Sequence, residues 1–232
     1  MFNLTSHEVS VILLSLKVAF VSVLLSLPLA IAVAFLLARR QFFGKTLIDA
    51  MIHLPLVLPP VVVGFALLVL FGKKGIIGGL LNEWFGLVFA FRWTGAALAS
   101  AVMGFPLMVR SIRLSFESID NRIEMAARTL GASSWYAFCS ITLPLAFPGV
   151  LTGVLLAFAR GLGEFGATIT FVSNIPGETE TLPIAIYTLT QIPNADMQAL
   201  RLSIIAVLLS VVALLISNYL NRNTSSPANA RR

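Results

Sequence analysis

Long apolar runs, each closed by basic or polar residues, dominate the pattern of this chain. Crossing the hydrocarbon core of a bilayer as a helix takes about 20 consecutive apolar residues. Residues 9–38 are apolar apart from Lys17 and a few serines, and they stop at Arg39 and Arg40. Residues 50–71 form a second run, interrupted by Pro55, Pro59 and Pro60 and closed by Gly72, Lys73 and Lys74. A shorter third occupies 94–109, with Pro106 near its end and Arg110 after it. A fourth starts near Leu143 and continues into the 160s, where Arg160 and Glu164 interrupt it. The cleanest run is 202–220, ahead of Asn221 and Arg222. The pattern predicts five spanning helices, and a further helix hidden in 174–200 would make six. The first run has neither the basic leader nor the A-x-A site of a cleaved signal peptide.

Composition turns these runs into a membrane protein. Apolar residues make up 58% of the 232 and charged residues 11%, against roughly 45–50% and 25% in soluble domains. Lipid must cover the excess. The expected fold is an all-α integral membrane domain over the whole of 1–232, ending in a short polar tail at 221–232. The net charge of +6 would raise nucleic acid as a partner for a soluble chain. Here the basic residues sit in short clusters between apolar runs, where they orient a chain in the bilayer. With the N-terminus outside, the inner segments 39–49, 110–142 and 221–232 carry ten Lys and Arg, and the outer segments carry five. That excess favours N-out, C-in. Cys139 is alone, and His7 and His53 lack metal-ligand spacing, so no metal set is expected.

Two connecting segments, 110–142 inside and 161–200 outside, are longer than simple linkers. The inner one reads IDNRIEMAARTLGASSWYAFCSITLP over 119–144. Asp120 can cap a helix in which Ile123, Ala126, Ala127 and Leu130 recur on one face. Gly131 sits where a helix ends, and Ser133 or Ser134 can cap a second short helix. Trp135, Tyr136 and Phe138 offer aromatic anchors. On pattern alone two readings stay open: a helix lying on the membrane surface, or a docking element for a cytoplasmic partner. A DNA-binding pair is excluded by the tether to a bilayer at both ends.

These residues also carry a resemblance. Ala126-Ala127, Gly131, and Ile141-x-Leu143-Pro144 after a nine-residue interval are similar to the EAA-x3-G-x9-I-x-LP loop of ABC-importer permeases. Met125 stands at the strict Glu position, with Glu124 one residue earlier, a variant that resembles the oxyanion-importer branch. Further blocks, HLPLVLPPVVVG at 53–64, FPLMVRSIRLSFESID at 105–120 and FARGLGEFGATITFVSNIPGETETLP at 158–183, are similar to molybdate permease subunits. The resemblance implies a bacterial inner-membrane importer. Two copies of the chain form the pore as a homodimer, two cytoplasmic ATPase subunits supply ATP hydrolysis, and an external molybdate-binding protein delivers the substrate. It also implies that Glu124, Ala126, Ala127, Arg128, Leu130, Gly131, Ile141, Leu143 and Pro144 form the ATPase-coupling loop. Molybdate is the first substrate expected, with tungstate accepted and sulfate or another oxyanion the alternative.

The chain itself has no cofactor or nucleotide motif. Gly44-Lys45-Thr46 copies the end of a P-loop, but the first glycine of that motif would fall at Arg39. Arg160 and Glu164, at i and i+4 in an apolar region, are either a mutual ion pair or neighbours of the pore, where Gly161, Gly163 and Gly166 would allow close packing between subunits. Pro59 and Pro60 break the second run, giving either a kink or a cavity-lining break. Lys73, Lys74 and Arg92 on the outer side could attract a dianion, dock the acidic rim of a binding protein, or stand as inert solvated charges. A secondary transporter would carry paired repeats and a channel a filter motif; neither pattern is visible.

Overall fold

The structure, a computed structural model, describes residues 4–224, with side chains described as far as Ile216. The chain is helical from end to end of this range. The polar tail lies largely outside the described residues. The first run is α1, Ser6–Arg39. Its start is fixed by a capping box, in which the Thr5 hydroxyl accepts from the Glu8 amide and the Glu8 carboxylate accepts from the Thr5 amide at 2.8 Å. The second run becomes two helices, α2 (Lys45–Val57) and α3 (Pro60–Phe71), bent by 114° at the Pro59-Pro60 step. A short helix α4 (Ile76–Phe85) follows, then α5 (Trp93–Ser118). The third span is thus longer than the sequence pattern suggests. The helix runs on past the apolar stretch through Arg110 and Arg113, because nothing before Ser118 breaks it. The inner loop therefore starts at Ile119 and not at residue 110.

That loop contains α6 (Asn121–Thr129) and α7 (Ser134–Ala137). A π-turn at Phe138–Thr142 joins α7 directly to α8 (Leu143–Leu162), so the fourth span is one 29-residue helical rod from Ser134. The outer segment folds as α9 (Gly166–Val172) and α10 (Leu182–Leu189), and α11 starts at Asp196.

Side-chain contacts set the helix directions. At one end, Arg39 Nη1 donates to the Ile119 carbonyl at 3.2 Å, joining the last turns of α1 and α5. Toward the other, Lys17 Nζ sits 3.6 Å from the centre of the Trp93 ring at the start of α5. α1 and α5 therefore run parallel, and the chain between them must recross the membrane. The bent α2–α3 pair is the segment that does so. α8 runs the opposite way, with Phe138 against Phe35 and Phe116 at the Arg39 end and Gly161 against Ala19 and Ser100 toward the other. α11 begins beside the start of α1, where Arg201 Nε and Nη2 both donate to Glu8 Oε1 at 2.9 and 2.6 Å. α10 is eight residues long, about 12 Å, too short to cross. Among the described residues the count is five crossings, with Ser6 and the far end of α11 on opposite sides.

The core is the seam where α5 lies between α1 and α8. Gly149 and Gly153 on α8 leave no room for a side chain: an added Cβ would stand 2.3 Å from Ser115 Cβ and 3.0 Å from the Met108 carbonyl. The close approach lets Ser111 Oγ donate to the Gly149 carbonyl at 3.0 Å. With no hydrophobic drive between helices in lipid, such packing and hydrogen bonds are what hold spans together. The positive-inside rule assigns the Arg39, Arg113 and Arg128 end to the cytoplasm. In a Cys139→Ser background, cysteines at Ser6 and Ser118 are expected to react with an impermeant maleimide from opposite faces. Labelling of both from one face would break the five-crossing topology.

Candidate functional site

The inner loop is built by local rules that the sequence announces. The Asp120 carboxylate accepts from the Arg122 amide at 2.9 Å and caps α6. Gly131 adopts φ +93°, the left-handed region. The Ala132 amide donates to the Ala127 carbonyl and the Gly131 amide to the Arg128 carbonyl, both at 3.1 Å. This pair of bonds is a Schellman motif. Ser133 then caps α7 through the Tyr136 amide at 3.2 Å. The two short helices are thereby set at a fixed angle.

No side chain of α6 is buried. The stripe read from the sequence faces outward: Ile123 is 46% exposed and Leu130 90%. Ala126 and Arg128 are exposed, Ala127 half-buried. Trp135 and Tyr136 project beside them at 74% and 63% exposure. Phe138, grouped with them in the sequence as an anchor, instead turns inward, 4.9 Å from the Phe35 ring and 6.2 Å from the Phe116 ring. It bolts the loop to the inner ends of α1 and α5. Glu124 accepts from Thr142 Oγ1 at 3.3 Å, tying α6 to the π-turn. Ile141 and Leu143 are half-buried in that turn and Pro144 is exposed beside it. An outward apolar face is thus mounted rigidly on α1, α5 and α8 at once.

The second feature lies deeper. At the α2–α3 break the Pro59 carbonyl accepts from the Val62 amide at 2.9 Å, so the break closes on itself. The α8–α9 break is held by Glu164, which is 2% exposed. Its Oε2 pairs with Arg160 Nη1 at 2.6 Å, and its Oε1 accepts from the Ala167 amide at 2.8 Å, capping α9. The two breaks meet. A Cβ on Gly166 would stand 2.7 Å from Pro60 Cβ, and one on Gly64 only 2.5 Å from the Ala167 carbonyl.

Arg160, Glu164, Gly166, Pro59 and Pro60 are therefore gathered in one region by the fold. Gly161 packs inside the same chain, on Ala19 and Ser100. Gly166 likewise packs within the chain, whereas Gly163 is exposed, and a Cβ added there would come within 4 Å of the Ala159 carbonyl alone, at 3.9 Å. The intramembrane ion pair is present, in the arginine-first order. Sequence reasoning missed the capping role of Glu164, although Glu164-Phe165-Gly166-Ala167 places a carboxylate two residues ahead of the first helical residue, Gly166. It also missed a chain of ion pairs at the inner end: Arg113 bonds Asp49 of α2 at 3.0 Å and Glu117 at 2.7 Å. His53 Nδ1 lies 2.8 Å from the Asp49 carbonyl, a local bond. His7 Nε2 instead reaches Glu180 at 2.8 Å, across most of the chain. Among the described residues no three His, Cys, Asp or Glu gather as a metal set.

Residues 26–226 match the family described as the binding-protein-dependent transport system inner membrane component. The chain belongs to this family. It is a multi-pass inner-membrane permease and not an enzyme; in such importers a separate ATPase subunit hydrolyses ATP. The permease is 60% identical over 215 residues to the molybdenum transport system permease protein ModB of Haemophilus influenzae, covering 93% of this chain and 94% of the relative. It is 59% identical to ModB of Escherichia coli K12 over 219 residues, 94% and 96% of the two chains. The sulfate transport system permease protein CysW of Synechococcus elongatus is 39% identical over 173 residues, 75% of this chain and 60% of that one. Among solved structures, a bacterial alginate ABC transporter in complex with its oligosaccharide-bound periplasmic protein matches with a TM-score of 0.74 at 18% identity, covering 96% of the permease and 81% of that chain. This last likeness shows the fold.

Proposed function

We propose that the permease is the membrane subunit of an ATP-driven molybdate importer, working as two copies with two cytoplasmic ATPase subunits and an external molybdate-binding protein. The observation that carries this reading is the exposed apolar face of α6, flanked by Trp135 and Tyr136, at the end that the basic residues place in the cytoplasm. A short amphipathic helix with aromatic anchors fits a groove on a partner. Its mounting through Phe138 and Glu124 means that a displacement of α6 is passed to α8 as a rigid push. The facing breaks at Pro59-Pro60 and Glu164–Gly166 are where α3 and α9 can change angle in response, so Arg160, Glu164, Pro59 and Pro60 are the pore-side residues of this reading. ATP is consumed by the partner ATPase. The permease binds no cofactor of its own.

The high identity to two proteins named as molybdenum permeases supports molybdate as cargo. Tungstate, alike in charge and size, follows it. Likeness to a sulfate permease keeps sulfate as the second reading. Lys73, Lys74 and Arg92, all exposed at the outer end, favour an anion of any kind. Proteoliposomes holding the permease, its ATPase and the binding protein are expected to take up labelled molybdate and tungstate with ATP, and sulfate weakly. Sulfate uptake without molybdate uptake would overturn the choice of cargo. The solubilised complex is expected to have a mass matching two permease copies, and a mass with one copy would overturn the dimer.

A further inference from the structure

We infer that α4 is an interfacial helix that lies along the outer surface of the bilayer, docked on phospholipid through Ile76, Leu80 and Trp84. The helix is ten residues long, about 15 Å, so it cannot cross. Its depth is set by what it touches. Gly78 presses on the last turn of α3, where a Cβ would stand 2.1 Å from the Gly72 carbonyl. The segment after it brings Phe89 to 6.0 Å from Phe71, edge-on, and then enters α5 at Trp93. α4 therefore sits level with the outer ends of two membrane-crossing segments.

At that level its surface divides three ways. The Gly78 side meets protein. Ile76, Leu80 and Trp84 follow at four-residue steps down another side and are 76%, 55% and 76% exposed. Glu83, also exposed, borders that stripe beside Ile76, about 100° round the helix from Trp84. Steps of four residues on a helix keep side chains on one face. The apolar stripe continues the outward face of α3, where Val62, Phe65 and Val69 are 46%, 60% and 52% exposed. The apolar surface left uncovered along α3 thus carries on under α4. Lys73 and Lys74, both exposed, stand at the junction between the two helices, where long basic side chains reach headgroup phosphates while their stems stay with the acyl region. Tryptophan at the stripe's end has the ring-and-N–H character that favours the headgroup level. Continuity with the exposed apolar face of a membrane-crossing segment and the paired lysines together commit the occupant to a phospholipid monolayer.

The test uses the whole transporter, permease with ATPase subunits, in phosphatidylethanolamine–phosphatidylglycerol vesicles, with Cys139→Ser as background. Single spin labels are placed at Leu80, Trp84 and Glu83. At 80 and 84, collision with oxygen should exceed collision with a water-soluble nickel chelate several-fold, and at 83, on the edge of the stripe about 100° round the helix from Trp84, that excess should be smaller. Chelate dominating at 80 and 84 would put α4 in water. Exclusion of both quenchers there would mean that a second copy or another protein covers the stripe. Either result overturns the inference. A second measurement avoids the labels: brominated lipid is expected to quench part of the tryptophan fluorescence, and Trp84→Phe to remove that part. An unchanged quenchable fraction in Trp84→Phe would also overturn it.

Discussion

A Gly131→Pro protein is expected to insert into the membrane at normal levels and to lose ATP-dependent uptake. The reason is local. Gly131 holds φ +93°, and proline is locked near −65°. Proline also lacks the N–H that Gly131 donates to the Arg128 carbonyl at 3.1 Å. The turn between α6 and α7 cannot form, so α6 loses its fixed angle to the rod that starts at Ser134. Nothing lies within 4 Å of an added Cβ at this position, so the damage stays at the turn and the spans still assemble. A graded series follows from the same physics. Gly131→Ala pays about 1–2 kcal/mol to hold a left-handed backbone and should transport slowly. Gly131→Asn, which tolerates that region better, should lie between alanine and glycine. Uptake measured in proteoliposomes, normalised to inserted protein, reads the order Gly, Asn, Ala, Pro. A correctly inserted Gly131→Pro protein with the normal rate would remove the loop angle from the mechanism.

The loop was legible because its signals are local. Asp120, Gly131 and Ser133 act on amides within a few residues, so their roles can be read from spacing before any fold is known. The spans were legible for a similar reason, since lipid demands long apolar runs. Four kinds of information were not. The 114° bend at Pro59-Pro60 is announced by the prolines, but its size depends on α9 packing against α3. The inward turn of Phe138 depends on Phe35 and Phe116, which are about a hundred and about twenty residues away in sequence. The glycines divided in a way spacing could not foretell. Gly149, Gly153 and Gly161 face α5 and α1 inside the chain, while Gly163, two residues on, faces out. Polar pairs between segments far apart in sequence were the fourth. Arg201 meets Glu8 because the starts of α1 and α11 come together beyond the level of Lys17 and Trp93, and His7 meets Glu180 because the segment leading into α10 lies against the same end of α1. That end of α1 projects past the hydrocarbon, where charge is tolerated.

Glu164→Ala is expected to be the most destabilising single change in the α8–α9 region. The side chain does two jobs with its two oxygens: Oε2 neutralises Arg160 at 2.6 Å, and Oε1 caps α9 through the Ala167 amide at 2.8 Å. Removing one partner of a buried pair leaves the other charge uncompensated, at a cost on the order of 3–5 kcal/mol, and a lone charge at membrane depth is costly in its own right. The lost cap adds about 1 kcal/mol. Glu164→Gln separates the two roles, because the amide oxygen still accepts from Ala167 while the charge is gone. It should fall between wild type and alanine in thermal unfolding of the detergent-solubilised complex. The double variant Arg160→Gln/Glu164→Gln removes both charges and keeps the cap, so its unfolding temperature should return close to the wild-type value. Transport should not return with it. The pair sits where the break between α8 and α9 meets the break at Pro59-Pro60, and in the proposed mechanism it holds the angle that a push from the α6–α7 loop would change. Stability without transport is therefore the expected signature of the double variant. A stable double variant with the normal uptake rate would reduce Arg160 and Glu164 to a structural tie at the end of a span.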